Sequence, residues 1–365
     1  MRIAYANTYY RINNAGGGHV HMGQFITNAV SDGHEIWSWS SNQHPEIHKV
    51  PGGYFNLIRT MRKMDALYVR LERKPSNFCR WAVPPHRLVY GFPLVVWEFN
   101  SIPEEGLLRG QSEQEVQRTN RFLKHYGRGC DLAVCMTHNL GEYVKNNFGI
   151  RRVSIVPNGS DPDLFQPDAP PVERMAPFKD KLNVVWIGSA NIEYHDFGML
   201  QEAALRLWDH KDRDRIIIHI IGSGLRGIMG DMPPNVYYWG AEYYHRLPHW
   251  LSAMDVGLYL SRGGPTDYAT PLKLFDYMAS GLVLVSTSQP FMRELFERLG
   301  QSDLLVSPGE AGSLAEVLIN LASDRERIHR QGLSGRQLVI DYYNWRRAVQ
   351  DTFNDMQTIL DEKGK

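Results

Sequence analysis

Residues 263–281 read GGPTDYATPLKLFDYMASG. The second half predicts a helix. Thr270 suits its cap, Pro271 its first position, and Gly281 the place just past its end. Two charges disturb the pattern. Lys273 falls in the first turn, where the helix dipole disfavours a cation. Asp276, three residues on, shares its face. Helical spacing groups Lys273, Asp276, Tyr277 and Ser280 on a polar face, with Leu272, Phe275 and Ala279 on an apolar one. As a surface pair the two charges would contribute only ~0.2–0.5 kcal/mol, a weak reason to place a lysine there. A bound phosphate is a stronger one. Backbone N–H groups from Ala269 to Leu272 would hold it and Lys273 would neutralise it. Asp276, one turn deeper, would accept hydrogen bonds from ribose hydroxyls.

The sequence around this helix repeats one grammar. VGLYLS precedes it and LVLVST follows, both continuous apolar runs of the kind buried on two faces of a parallel sheet. NVVWIGS, RIIIHIIGSG, VYYWG and DLLVS belong to the same half. In the first half RIAYAN, HEIWSW, ALYVRL, PLVVWEF, DLAVCMT and VSIVPNG alternate with helical patterns. A helix follows the first strand through GHVHMGQFITNAVSDG, with Gly33 as its stop. Strand–helix alternation argues for parallel sheets with helices on both faces. QPDAPPVERMAPFKDKL, with four prolines, reads as a linker near residue 170. The expectation is an α/β chain of two tandem Rossmann-like domains: 1–168, then 169–343, with 344–365 as a final helix packing back on the first domain.

Composition excludes several classes. Lysine plus arginine (40) equals aspartate plus glutamate (40), so no global charge points to nucleic acid. Cys79, Cys130 and Cys135 show no zinc-ligand spacing and suit a reducing compartment. The start, MRIAYANTYY, has no long apolar core of a signal peptide, and no run approaches the ~20 residues that span a bilayer. A cytoplasmic protein is expected. Charge is uneven locally: residues 51–90 hold eight lysines and arginines against Asp65 and Glu72, interleaved with Phe55, Leu57, Ile58 and Trp81. That stretch is either a solvated basic face or a patch for anionic headgroups at the inner face of a membrane, or for an anionic acceptor.

Ligands of doubly wound sheets bind at the carboxyl ends of the strands, so the loops there hold the candidates. NNAGGGHVH (13–21) follows the first strand. Gly16, Gly17 and Gly18 allow close approach to a phosphate at a helix start. His21 stands where a dinucleotide fingerprint needs its third glycine, which argues against a dehydrogenase. IGSANIEYH supplies Gly188, Ser189 and His195, and IIGSG supplies Gly222. In PLVVWEFNS, alternation puts Glu98 and Asn100 on one side of a strand end. The acidic clusters 161–163 and 212–214 read as turn chemistry, and no metal motif is visible.

These residues together resemble the GT-B fold glycosyltransferases, and most closely glycosyltransferase family 4. The resemblance rests on GGGHVHMGQFITNAVSDGHEI, VSIVPNGSDPDLFQP, VYYWGAEYYHRLPHWLSAMDVGLYLS and, most specifically, TPLKLFDYMASGLVLVST. It implies two domains facing across a cleft. It also implies transfer of a hexose from a nucleotide-diphosphate sugar, UDP- or GDP-linked, with retention of anomeric configuration; with no metal motif visible, the positive charge is expected from helix ends and Lys273 and no metal is expected. The donor falls mainly to the second domain. Asp276 takes the place of the acidic residue that holds ribose. Lys273 and the backbone at Ala269, Thr270 and Leu272 meet the diphosphate and sugar, with Gly16, Gly17 and Gly18 opposite. Asn100, with Glu98 as its neighbour, falls where many relatives have a cleft histidine, which makes Lys273, Asn100 and Glu98 the catalytic candidates. Tyr268 stands where the motif has its first glutamate. Of the charge usual after the second domain's first strand, only His195 supplies a part. The implied acceptor is a glycan or lipid-linked oligosaccharide of polysaccharide or exopolysaccharide assembly. Alternatives on the same architecture are a nucleotide-sugar 2-epimerase and a non-catalytic partner subunit.

Overall fold

The computed structural model describes residues 1–6, 16–39, 44–71, 76–189, 195–211, 213–224 and 232–364. Parts of the two candidate loops, residues 13–15 and 190–194, lie outside the described residues, as do Glu72, Arg73, Lys74 and Asp212. The chain forms two compact units. Unit 1 comprises Met1–Asn158, Tyr268–Thr270 and Trp345–Lys365. Unit 2 comprises Gly159–Asp267 and Pro271–Asn344.

Unit 1 is built on a seven-stranded sheet of β1 (Arg2–Ala6), β2 (Glu35–Ser38), β3 (His48–Lys49), β4 (Ala66–Leu71), β5 (Leu94–Phe99), β6 (Leu132–Cys135) and β7 (Val153–Ile155). Its spatial order is β3-β2-β1-β4-β5-β6-β7, and every pair is parallel. The order reverses beside β1, the arrangement of a doubly wound sheet. The central strands β4 and β5 are buried at every residue, as their apolar runs require, and the one charge in each, Arg70 and Glu98, is paired with the other. Helices α1 (Gly17–Ser31), α2 (Tyr54–Met61), α3 (His86–Tyr90), α4 (Glu113–Gly127) and α5 (His138–Phe148) make the crossovers. Ser112 and Glu115 close a capping box on α4, and Thr137 caps α5. Gly33, just past α1, takes a positive φ of 82°.

Unit 2 repeats the plan with β8 (Leu182–Ser189), β9 (Ile216–Ser223), β10 (Val236–Gly240), β11 (Val256–Tyr259), β12 (Val283–Thr287) and β13 (Leu305–Val306). The order is β10-β9-β8-β11-β12-β13, again all parallel. Around it lie α6 (Phe197–Asp209), α7 (Leu247–Leu251), α8 (Leu272–Ala279), α9 (Pro290–Leu299), α10 (Ala311–Ala322) and α11 (Arg325–Asp341).

The last helix, α12 (Trp345–Lys363), belongs to unit 1. It buries Trp345, Val349, Phe353, Met356 and Ile359. Phe353 stacks on His34 at 3.8 Å and on Phe25 at 6.0 Å. At its far end the Lys363 ammonium reaches Asp131 at 2.7 Å and the Pro93 carbonyl at 2.8 Å.

The structure places the division between units after Asn158, not near residue 170. The proline-rich stretch is part of unit 2. Phe165 and Met175 lie in that unit's core, and the Val172 N–H donates to the His249 carbonyl at 3.0 Å. Prolines there shape an ordered surface segment, including a short turn of 3-10 helix from Glu173 to Phe178. The chain instead crosses where Gly159 runs beside Asn344. A Cβ on Gly159 would fall 2.6 Å from the Asn344 carbonyl carbon, so only glycine allows that approach.

Phe353→Ala should destabilise the protein by ~3–5 kcal/mol through the cavity it leaves. Urea unfolding checks this. A midpoint unchanged from the parent would show that the α12 seam contributes little to unit 1.

Candidate functional site

Helix α8 carries the strongest anomaly of the molecule. Its residues from Leu274 to Ala279 are all buried, Asp276 included. The polar face expected from helical spacing therefore does not face solvent. Pro271, not Thr270, is the cap residue, and it makes no side-chain bond to the first turn. Thr270 lies in unit 1, where its carbonyl and hydroxyl accept from the Asn158 amide at 2.7 and 3.0 Å. Gly281 does sit just past the helix end, with φ of 78°.

Lys273 and Asp276 do not pair with each other; their partners differ completely. The Lys273 ammonium is closed off from solvent, although the residue as a whole is only partly buried, and has no hydrogen-bond partner among the described residues. It stands over the Trp186 ring at 4.4 Å and near the Tyr259 ring at 5.7 Å. Gly188, at the carboxyl end of β8, makes room for it: a Cβ there would lie 3.0 Å from the ammonium nitrogen and 2.7 Å from the Trp186 ring. Gly222 lies against the Gly188 carbonyl so closely that a Cβ would meet it at 1.7 Å. Burial lowers the Lys273 pKa to about 7. Ring faces stabilise a cation but do not satisfy its three donors. The Lys273 ammonium is thus enclosed by ring faces with no acceptor for its donors among the described residues.

Asp276 is held from two sides. Its Oδ1 accepts from the Ser160 hydroxyl at 2.6 Å and from the Tyr244 hydroxyl at 3.2 Å. Burial raises its pKa to about 7, against the pull of those two bonds. Ser189 and Ser223, at the ends of β8 and β9, join hydroxyls at 3.2 Å. His195 is buried with its ring edge-on to Trp186 at 5.0 Å, so it props the residue beneath Lys273.

Unit 1 holds a second cluster, built on Glu98. Gly16 is the cap residue of α1, and Gly17 and Gly18 open its first turn. Glu98 and Asn100 share a side of β5, as alternation predicts: the Asn100 amide donates to Glu98 Oε1 at 3.0 Å. Glu98 is buried and saturated. Its Oε1 also faces Arg70 at 2.7 Å and His21 at 3.0 Å, and its Oε2 accepts from Tyr68 at 2.9 Å. Burial alone would raise its pKa. His21, Arg70 and the bonds from His21 and Tyr68 overcome that and hold it well below the usual carboxylate range. The other His21 nitrogen meets the Asn158 oxygen at 3.0 Å, and Trp345 packs edge-on to the ring at 4.9 Å. Tyr268, also in unit 1, lies edge-on to Tyr143 at 5.4 Å, and its carbonyl accepts from Thr137 at 3.1 Å.

The sequence did not point to Trp186, Tyr259, Ser160 or Tyr244 in unit 2, nor to Arg70, Tyr68 and Asn158 in unit 1. They reach the site from distant segments, and none stands out locally.

The chain is similar to known glycosyltransferases in part of its sequence and in its fold. Residues 181–324, almost all within unit 2, match the family described as Glycosyl transferases group 1. The fold is that of GT-B glycosyltransferases. Anabaena Alr3699/HepE, solved with UDP and glucose, aligns over 98% of this chain and 100% of its own with a TM-score of 0.72 at 14% identity. Sucrose-phosphate synthase from Thermosynechococcus elongatus aligns over 99% of each chain with a TM-score of 0.68, also at 14% identity. A curated relative, the putative teichuronic acid biosynthesis glycosyltransferase TuaH of Bacillus subtilis (strain 168), is 27% identical over 171 residues. That match spans 44% of this chain and only 41% of TuaH. The chain has the GT-B fold, and its residues 181–324 are similar to the group 1 glycosyl transferases.

The two pKa shifts in α8 have opposite signs in pH. The unfolded lysine binds its proton more tightly than the folded one, so between about pH 7 and pH 10.5 stability rises with pH. The folded aspartate holds its proton longer than the unfolded one, so between about pH 3.8 and pH 7 stability falls as pH rises. Lys273→Met should therefore gain on the order of a few kcal/mol at pH 7 and lose the upper slope. Urea midpoints from pH 4 to 10 test this; an upper slope retained in the variant would remove Lys273 as its source. Glu98→Gln, which leaves Arg70 buried without its carboxylate, should cost ~3–5 kcal/mol in the same assay.

Proposed function

We propose that the protein is a retaining hexosyltransferase that uses a nucleotide-diphosphate sugar, UDP- or GDP-linked, in the assembly of a polysaccharide. The observation that carries this is the Lys273 ammonium, enclosed by Trp186 and Tyr259 with no hydrogen-bond acceptor among the described residues. A diphosphate would satisfy it. The uncapped first turn of α8 offers further N–H donors to the same anion. UDP in HepE and the glycosyltransferase name of TuaH support the same class of donor and process.

In this reading the donor's anomeric carbon–oxygen bond breaks toward the diphosphate. Lys273 and the α8 N–H groups stabilise the negative charge that develops on the leaving group. The acceptor hydroxyl attacks from the leaving group's own face, and a phosphate oxygen takes its proton. No protein nucleophile and no metal are required. Glu98, saturated by four donors, serves to fix Asn100 and His21 rather than to move a proton. Asp276 accepts ribose hydroxyls while Ser160 and Tyr244 hold its other oxygen in place. The acceptor is a glycan or lipid-linked oligosaccharide hydroxyl.

The test is nucleotide release from UDP-, GDP- and ADP-sugars without acceptor, with product analysis. Slow release from one donor is expected. Lys273→Ala should lower turnover by ~10²–10³ while weakening nucleotide binding less. Asp276→Ala should act mainly through KM. Equal loss of binding and turnover in Lys273→Ala would overturn its transition-state role. Binding without release, even with acceptor extracts, would indicate a non-catalytic partner subunit. Conversion of the donor sugar without release would indicate an epimerase.

A further inference from the structure

We infer that the α2–α3 face of unit 1 is a docking surface for an anionic lipid bilayer. The inference stands on the surface of unit 1 alone and is independent of the donor reading. The three most exposed large apolar side chains among the described residues are Phe55 (84%), Leu88 (73%) and Tyr54 (63%), and all three lie on these two short helices. The rest of α2 explains why this is not a core face turned outward. Ile58 is half-buried and Met61 fully buried, so α2 already has an inward side. Phe55, Arg59 and Arg62 recur at helical spacing on the opposite, exposed side, and Lys63 follows. The two helices are joined at their ends. The Arg62 guanidinium donates to the Val89 carbonyl at 3.0 Å, one residue from Leu88. Trp81 stacks on Tyr90 at 4.0 Å beneath them.

The charge of the neighbourhood selects the partner. Arg59, Arg62 and Lys63, on α2 and just past its end, are exposed. Of the two acids in residues 51–90, Asp65 is turned away, accepting from the Arg2 N–H at 2.7 Å. Exposed aromatic and leucine side chains flanked by the cations of α2 match an interface where apolar groups enter the headgroup boundary and phosphates neutralise the charge. A neutral protein partner would leave those cations without anions, and an RNA would leave Leu88 and Phe55 without an apolar environment. No helix among the described residues is long and apolar enough to cross a membrane, so attachment through this face would be peripheral. The α2 N-terminus follows the carboxyl end of β3, so Phe55 lies toward the same sheet edge as Gly16 and Asn100.

Flotation of the whole protein with phosphatidylcholine vesicles, with and without phosphatidylglycerol, tests the inference. Binding is expected only with the anionic lipid and should weaken with salt. Phe55→Ser should weaken it at least about ten-fold. Arg59→Gln and Lys63→Gln should each weaken it about five-fold, the equivalent of ~1 kcal/mol per cation near an anionic surface. These side chains are exposed, so melting curves of the variants should match the parent. No vesicle binding, equal binding to neutral vesicles, or variants that bind like the parent would overturn the inference. Capture by polyglutamate in place of vesicles would also overturn it and identify an acidic protein as the partner. Concentration-dependent self-association abolished by Phe55→Ser would instead assign the face to a second copy of the chain.

Discussion

Unit 2 is organised around a charge removed from water. Helix α8 is buried almost throughout and yet carries a lysine and an aspartate. Isolated buried charges cost several kcal/mol each unless something replaces their hydration. For Asp276 two hydroxyls do so, brought from Ser160 and Tyr244. For Lys273 the replacement is incomplete, since two aromatic faces supply electrostatic attraction but no acceptor. Much of the local architecture follows. Gly188 and Gly222 end β8 and β9 without side chains because any Cβ would strike Trp186, Lys273 or the neighbouring strand. His195 and Phe197 pack edge-on against Trp186 and keep its ring under the ammonium. Tyr277, on the same helix, takes the Ile187 N–H at 2.7 Å and ties α8 to β8 just before Gly188.

The contrast with unit 1 sharpens this point. Glu98 is more deeply enclosed than Lys273, yet every lone pair that matters has a donor. A saturated buried network specifies one arrangement and is chemically quiet. An unsaturated one stores free energy that a ligand can release. Both clusters contain strongly perturbed groups, so perturbation alone does not separate them. Hydrogen-bond satisfaction does. It leaves Glu98 fully engaged and Lys273 with donors to spare, which is why the proposed donor site is centred on Lys273 and not on Glu98.

The same physics decides what was legible in the sequence. Strands buried on both faces need unbroken apolar runs, so the parallel sheets could be read from PLVVWEF, RIIIHIIGSG and LVLVST. Lys273 stood out because it violates the helix dipole, and Asp276 because it lies one turn away. Burial did not stand out: Lys273, Asp276, Tyr277 and Ser280 look amphipathic by spacing, and only the packing of α11 and the sheet around α8 encloses them. The partners were illegible for a simpler reason. Ser160 lies 116 positions from Asp276, and Asn158 lies 112 from Thr270. The proline-rich stretch misled because proline reports a backbone constraint and not a boundary. The true crossing at Gly159 is marked by a close backbone approach that one glycine among 32 does not reveal.

The capping of α8 completes the picture. A serine, threonine or aspartate at its cap would satisfy a first-turn N–H and contribute ~1 kcal/mol. Thr270 is one residue too early, and its hydroxyl is already engaged by the Asn158 amide. Pro271 holds the cap position with φ of −66° and ψ of 133° and offers no side-chain acceptor. The helix therefore begins with its N–H groups uncapped and a lysine among them, two arrangements that each destabilise the empty protein. Both penalties are relieved by the same kind of ligand, a multiply charged anion with several acceptor oxygens. A neutral sugar would relieve neither, and a single carboxylate would answer the lysine or the helix end but has too few oxygens to serve both well. A diphosphate has enough for each. The sequence order Thr-Pro-Leu-Lys, unfavourable for a helix on its own, would become favourable with the proposed diphosphate bound.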